Sequence, residues 1–442
     1  MNIPKKLIRG IDFFVALILS VVFLMSLFIR RIFGKIKLPH QKNHLVSLTK
    51  DGIYKILECN AGKDYFKWDF TRPHVENTYV VYIGSENPNI FNLAPHIIGI
   101  NQSIPLESLR RLAPFTGMAI QQFIGLLMMI KLIKKISPKV IEVMFPSKLA
   151  LRALLLKWLL PIKLVTQIRG NFDLIYYFNP FPTFWPFKMS WQPLETFQVM
   201  WDKFIALLFY RSCDLVIGYN INNMLSSISG GAHPKKVKLS RIKIELSMLN
   251  EAKISRNRLE DIPVDGKIIS LWSRLSPEKL VLEAVQAFEV LLQKTEEKLY
   301  LAIIGDGPEK QKIISYITNS PYKHSILLLG QKDRSYITQI ALHSSLAVVP
   351  YGGSSLVEAV MLNVPVVAFD IEWHNELIRD GETGYLADFP NINHLACQMF
   401  QSLSNPQKSQ KMAEYAKRLA QKMFDNKITD EKEARYYKPL FE

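Results

Sequence analysis

The chain has 442 residues, about three times a common domain size, so at least two packed units with their own cores are expected. Lys and Arg outnumber Asp and Glu 55 to 39, a net charge of +16, while 48% of residues are hydrophobic and 11% aromatic. This excludes a disordered chain, a fibrous one and a small disulfide-stapled scaffold. The charge is uneven, because the first fifty residues carry nine Lys/Arg against Asp12 alone, and so hold +8 of the +16.

That local charge brackets an apolar run. Phe13 to Ile29 gives 17 consecutive uncharged residues, between Lys5, Lys6 and Arg9 on one side and Arg30, Arg31, Lys35 and Lys37 on the other. As a helix the run is about 25 Å long, short for a hydrocarbon layer of about 30 Å, and it fits a tilt-free span, a re-entrant helix or an interfacial anchor. A cleavable signal peptide fits less well, since Arg30-Arg31 stands where a small-residue cleavage site belongs. The heavier basic flank after the run favours a cytoplasmic body on a membrane-associated protein. Cys59, Cys213 and Cys397 are far apart, with no metal-site or disulfide spacing.

Beyond a basic linker to about Lys50, short apolar runs alternate with helical stretches. Strands are expected at Thr78 to Ile83, Val140 to Phe145, Lys163 to Ile168 and Asp214 to Tyr219. Helices are expected at Met118 to Ile136, Leu149 to Leu160 and ahead of Arg211. The polar stretch Asn250 to Asp265 reads as a linker. The second half repeats the pattern, with strands at Lys267 to Trp272, Leu299 to Ile304, Ile326 to Leu329, Leu346 to Val349 and Val364 to Phe369. Helices fall between them at Leu280 to Leu292, Glu309 to Ile317, Tyr336 to His343 and Ser355 to Leu362. Such alternation means βαβ units and mainly parallel sheets, with ligands at the carboxyl ends of the strands. Between the halves, Tyr176 to Phe204 interleaves nine Phe and Trp residues with four prolines, and reads as a lid or crossover, or as an interfacial patch.

Three clusters carry chemistry. A strand ending at Pro350 runs through Tyr351-Gly352-Gly353-Ser354-Ser355 straight into the helix bearing Glu358. The glycines allow close backbone approach, the helix start suits a phosphate, and a carboxylate one turn in can accept from a ribose diol. Ser273-Arg274-Leu275-Ser276-Pro277-Glu278-Lys279 follows the first strand of the second half, where Arg274 and Lys279 suit a diphosphate leaving group. Gly305-Asp306-Gly307-Pro308 reads as a tight turn.

Together with Leu327-Leu328-Leu329-Gly330, Ser355 to Asp370 and Glu376 to Leu386, these motifs resemble the donor half of the family four, GT-B type glycosyltransferases over residues 264 to 390. Ser212 to Asn220 is similar to that family's last acceptor-domain strand. The resemblance implies an α/β fold of two facing Rossmann-like domains. Residues 1–42 would form an anchor and basic linker, residues 43–255 an acceptor-binding domain, 256–414 a nucleotide-sugar-binding domain, and 415–442 a helix crossing back. It implies retaining transfer from a nucleotide-sugar donor, with Arg274 and Lys279 on the diphosphate, Glu358 on the ribose, and backbone around Gly330 and Gln331 at the base. Gly353, Ser354 and Ser355 would receive phosphate, His374 would touch the sugar or phosphate, and Glu376, which matches the glutamate the family has before its Asp-Gly-Glu-Thr-Gly, would bind substrate.

No metal is expected, and the sequence contains no Asp-x-Asp pair, which argues against the metal-dependent single-Rossmann transferases. Two departures stand out. Eight positions before Glu358, where the family usually has a first glutamate, this chain has Pro350, so the motif is either shortened or its first half is lost. Where the family commonly has an acceptor-side histidine, the strand ends in Arg169-Gly170-Asn171-Phe172-Asp173. Arg169 could stabilise phosphate charge, and Asp173 could accept the acceptor proton. The expected partners are a nucleotide sugar, a lipid-linked or cell-surface glycan acceptor and a membrane. A nucleic-acid partner is not expected, because the charge sits beside the apolar run and no basic module follows. A nucleotide-sugar epimerase and a non-catalytic subunit of the same fold are the rival readings.

Overall fold

The computed structural model describes residues 36–38, 40–48, 74–84, 88–104, 114–145, 149–170, 192–243, 259, 262–263 and 265–442. The apolar run at 13–29, Asp173, most of the aromatic segment and most of the polar stretch 250–265 lie outside the described residues. Among the described residues, no helix is long and apolar enough to cross a membrane.

The chain forms two compact units, one of Met1–Arg241 with Lys427–Glu442, the other of Ile242–Asn426. The first unit holds an eight-stranded sheet built from β1 (Lys42–Leu48), β2 (Asn77–Gly84), β3 (Asn89–Ala94), β4 (Ile97–Ser103), β5 (Pro138–Phe145), β6 (Lys163–Ile168), β7 (Leu215–Gly218) and β8 (Val237–Leu239). Its order is β3-β4-β2-β1-β5-β6-β7-β8, parallel except for the β3–β4 hairpin. The helices α1 (Pro114–Ile136), α2 (Leu149–Leu159), α3 (Gln192–Ser212) and α4 (Ile221–Ser229) connect these strands.

Buried strands of a parallel sheet alternate faces, and both faces here are apolar. Val46, Ile141, Leu164 and Val216 join the core with α1, α2 and α3, whereas their neighbours Leu45, Val140, Val165 and Leu215 join a second cluster with Tyr437, Leu440 and Phe441. The stretch read as basic linker to about Lys50 is thus corrected at β1, a central strand paired on both sides by β2 and β5. Its apolar signal is only Leu45, Val46 and Leu48, set among Lys42, Asn43 and Lys50, too short to register against the charge.

The second unit contains β9 (Lys267–Trp272), α5 (Val281–Leu292), β10 (Leu299–Ile304), α6 (Lys310–Asn319), β11 (Ile326–Gly330), α7 (Arg334–His343), β12 (Ser344–Val349), α8 (Ser354–Met361), β13 (Val366–Asp370), the short α9 (His374–Leu377), β14 (Tyr385–Asp388), α10 (Ile392–Ser404) and α11 (Pro406–Met423). Its order, β11-β10-β9-β12-β13-β14, reverses direction between β9 and β12, and every pairing is parallel. Loops leaving neighbouring strands on either side of such a reversal diverge, which opens a crevice at the carboxyl ends of β9 and β12.

The units divide at Arg241, ahead of the polar stretch, because β8 is the last strand of the first sheet. Tyr415 to Met423 stays in the second unit, where Ala416 and Ala420 enter the core. The segment that joins the first unit is the last helix, α12 (Asn426–Phe441). Its Tyr437 is fully buried and donates its hydroxyl to the buried carboxylate of Glu142, and Ser240 Oγ donates to Glu433 at 3.0 Å. Tyr437→Phe removes that donor without leaving a cavity. It is expected to cost about 1–3 kcal/mol in denaturant unfolding, against about 3–5 for Tyr437→Ala.

Candidate functional site

The loops after β9 and β12 are the functional candidates, because these adjacent strands flank the crevice that the sheet reversal opens. After Trp272 the chain makes a turn whose amides are tied to the next loop: Ser273 N–H donates to Ile304 O at 3.0 Å and Leu275 N–H to Asp306 O at 3.0 Å. Arg274 stands exposed on this turn. Pro277–Lys279 forms one 3-10 turn, closed by Lys279 N–H on Ser276 O at 2.8 Å, and directs Lys279 toward the β12 loop. The ammonium lies 5.1 Å from the centroid of the Tyr351 ring, and Nζ is 3.4 Å from the Tyr351 carbonyl. Burial lowers its pKa, against the opposing pull of Glu278 and Glu372.

The β12 loop ends on Gly353, immediately before α8. A Cβ built on Gly353 meets nothing within 4 Å, so the backbone there is open to close approach. Gly353 and Ser354 are exposed while Ser355 is buried, and the first amides of α8 lie over this open backbone. One turn in, Glu358 is 4% exposed. Trp272 Nε1 donates to its Oε2 at 3.0 Å, and Arg334, the first residue of α7, forms an ion pair with its Oε1. The Glu358 carboxylate therefore ties β9, α7 and α8 together. Gly330 and Gln331 lie at the end of β11, just ahead of Arg334, so the loop assigned to the base adjoins the Glu358 pair in sequence.

His374 is corrected from a sugar or phosphate contact to a buried brace. The ring is 0% exposed, its Nδ1 donates to Phe369 O at 2.8 Å, and its Nε2 accepts from Gly352 N–H at 3.0 Å. Both nitrogens are spent on backbone, which fixes the neutral tautomer and holds the glycine loop against β13. Burial pushes its pKa down to about 4. Glu376 is half-buried on α9.

Two residues ahead of His374, Glu372 adopts φ +51°, a left-handed conformation costing a non-glycine residue about 1–2 kcal/mol. Its carboxylate accepts a hydrogen bond from Tyr351, and burial first, then the charge and contact of Glu372, drive the phenol pKa far up.

Arg274, Lys279, Glu358, Gly330, Gln331, Gly353, Ser354, Ser355, His374 and Glu376 all belong to the second unit. Arg169 belongs to the first, where Nη2 donates to Gln167 Oε1 at 3.2 Å and the guanidinium lies 5.1 Å from the Tyr219 ring centroid. Asp173 lies outside the described residues. Trp272, Arg334 and Tyr351 are additional members of the site. Among the described residues, no group of three or more His, Cys, Asp or Glu side chains is arranged to hold a metal ion.

Comparison with known proteins gives this geometry a context. Residues 255–419 match the family model of the glycosyl transferases group 1. The chain is 29% identical over 179 residues to the N-acetyl-alpha-D-glucosaminyl L-malate synthase of Bacillus anthracis, covering 39% of this chain and 46% of that protein. It is 27% identical over 238 residues to a Campylobacter jejuni N-acetylgalactosaminyltransferase named for a diphospho-undecaprenol substrate, covering 52% and 62%. The match thus spans less than two thirds of either relative. Among solved structures, Anabaena HepE in complex with UDP and glucose superposes with a TM-score of 0.65 at 17% identity, over 90% of this chain and 100% of that one. This likeness identifies the fold, the two-sheet α/β GT-B architecture.

Proposed function

We propose, from the premise that residues 255–419 form a domain of the glycosyl transferases group 1, that the second unit binds a nucleotide sugar and that the protein transfers its sugar to an acceptor hydroxyl with retention. The observation that carries this reading is the reversal in the β11-β10-β9-β12-β13-β14 sheet, with Arg274 and Lys279 on one side and the open start of α8 on the other.

Arg274, Lys279 and the first amides of α8 would hold the diphosphate and stabilise the charge it gains as the anomeric bond loosens. Glu358 would accept from the ribose, its carboxylate oriented by Trp272 and Arg334. Gly330 and Gln331 would offer backbone to the base. The acceptor proton would pass to the departing diphosphate oxygen, so no separate base is needed, and Arg169 and Asp173 would assist on the acceptor side. No metal enters this scheme.

The acceptor is a lipid-linked or cell-surface glycan, a reading supported by the Campylobacter relative's name and by the basic-flanked run at 13–29, which would attach the protein to a membrane with its catalytic units in the cytoplasm. Pro350 in place of a first glutamate favours one alternative, a non-catalytic subunit that retains donor binding.

The detergent-purified chain is expected to gain thermal stability with one or a few of UDP-, GDP-, dTDP- and ADP-sugars, because a ligand that binds only the native state stabilises it. With that donor, Arg274→Ala and Lys279→Ala are each expected to lower kcat/KM by about a hundredfold. No stabilisation by any nucleotide would overturn the donor site. Binding without turnover would select the non-catalytic reading, and an inverted product would remove the retaining mechanism.

A further inference from the structure

We propose that Glu372 reads the sugar of the donor, its carboxylate accepting hydrogen bonds from sugar hydroxyls beside Tyr351 and Lys279. This rests on the reading that the second unit binds a nucleotide sugar.

Placement comes first. Lys279, Tyr351 and Glu372 leave the carboxyl ends of β9, β12 and β13, three strands adjacent in the sheet. The Tyr351 ring joins the other two: Lys279 lies 5.1 Å from its centroid, and its hydroxyl is hydrogen-bonded to Glu372. Glu278 and Glu372 both act on that ring and on Lys279. Glu278 already accepts from Ser276 Oγ at 2.6 Å, and Glu358 is buried under Trp272 and Arg334. Glu372 is half-exposed, two residues beyond the carboxyl end of β13.

Conformation is the second argument. Glu372 holds a positive φ between Ile371 and Trp373, which are 6% and 8% exposed. The turn closes through backbone, by Ile371 N–H to Phe369 O at 3.0 Å and His374 N–H to Ile371 O at 3.1 Å. Nothing in those bonds requires a glutamate, and glycine would adopt the conformation without strain. Strain retained at a loop beside a binding site points to a use for the side chain. A carboxylate has about four acceptor positions and suits paired sugar hydroxyls. The phosphate contacts belong to Lys279 and Arg274, so the two halves of a nucleotide sugar would meet opposite charges in neighbouring loops.

The test compares Glu372→Gly, Glu372→Gln and Glu372→Asp by melting temperature, by affinity for UDP against UDP-glucose and GDP against GDP-mannose, and by transfer kinetics. Glu372→Gly relieves the strain, so its melting temperature is expected to equal or exceed that of the unsubstituted chain. Its nucleoside diphosphate affinity should stay within about twofold. Nucleotide-sugar affinity and kcat/KM should fall by about thirtyfold or more, as expected where a hydrogen-bonding site loses its acceptor. Glu372→Gln should behave similarly, and Glu372→Asp should recover part of the loss. Equal losses for diphosphate and nucleotide sugar would reduce Glu372 to a counter-ion of Lys279 and overturn the proposal, as would undiminished sugar affinity in Glu372→Gly. If the unsubstituted chain binds no nucleotide, the donor-site reading fails, and this inference with it.

Discussion

Replacing His374 by alanine is expected to destabilise the second unit by about 3–5 kcal/mol, among the larger effects of a single substitution, and to remove nucleotide binding. The ring is fully buried, at centroid distances of 6.1 Å from Tyr351 and 5.9 Å from Trp373. Its loss opens a cavity and strips the partner from two backbone groups, the Gly352 N–H and the Phe369 carbonyl. His374→Phe separates these contributions, since it fills most of the volume while leaving both groups unpaired. It is expected to retain about half of the stability lost in the alanine variant, yet still to loosen the glycine loop. Denaturant midpoints measure the first effect, and hydrogen exchange at Gly352 the second.

The same residue gives stability a pH dependence. Burial is the largest cause of the lowered pKa, and the Lys279 charge adds to it, while the bonds to Phe369 and Gly352 oppose it. With a folded pKa of about 4 and an ordinary value near 6.5, the unfolded chain binds the extra proton between those limits. The contribution is therefore complete above about pH 6.5 and declines as pH falls toward 4, by about 3 kcal/mol in all. The unsubstituted chain should lose midpoint stability over that window, and His374→Phe should show a visibly flatter profile. An unchanged slope in the variant would mean that the ring is protonated in the fold, with a different hydrogen-bond pattern.

His374 also shows where sequence reading fails. In the order Asp370-Ile371-Glu372-Trp373-His374 a histidine beside two carboxylates, just after a strand, reads as a polar contact to ligand. The ring instead turns back beneath the preceding loop, a choice made by Gly352 and Phe369 in space. Long-range pairs hid the rest of the site. Arg334 pairs with Glu358, and Trp272 reaches the same carboxylate from a strand two motifs earlier, so neither has a local signature. What was legible had either a long apolar run or a fixed order. The strands β9, β10 and β12 are runs of Ile, Leu, Val and Ala buried on both faces, and Arg274, Lys279 and Glu358 lie at set distances after strand ends. By contrast β1 is a central strand with little apolar sequence of its own, and β8 is three residues long. β1 owes its central place to β5, far along the chain, whereas β8 pairs only with the preceding strand β7 at the edge of the sheet.

Gly305→Ala is expected to be at least as damaging, at about 4–5 kcal/mol, because two independent penalties meet there. The residue has φ +143°, which an L side chain rarely adopts, and a Cβ would lie 1.9 Å from the Ser273 carbonyl oxygen. That oxygen belongs to backbone held in the β9–β10 register, by Ser273 N–H to Ile304 O on one side and Leu275 N–H to Asp306 O on the other. No rotamer can relieve the contact, so the Ser273–Leu275 turn must move away and carry Arg274 with it. Gly305 N–H also donates to Gly330 O at 2.8 Å, and the displacement would reach the end of β11. Gly330→Ala is the control: φ is +69°, but a Cβ there meets nothing within 4 Å, so only the conformational cost of about 1–2 kcal/mol applies. Protection of the β9 and β10 amides against hydrogen exchange should collapse in Gly305→Ala and persist in Gly330→Ala. Equal protection in the two would mean that the β9 turn is held by Arg274 or Lys279 rather than by this close approach. Donor affinity should follow stability in the first variant, because the turn that the glycine admits is the one that carries Arg274 and leads into Lys279.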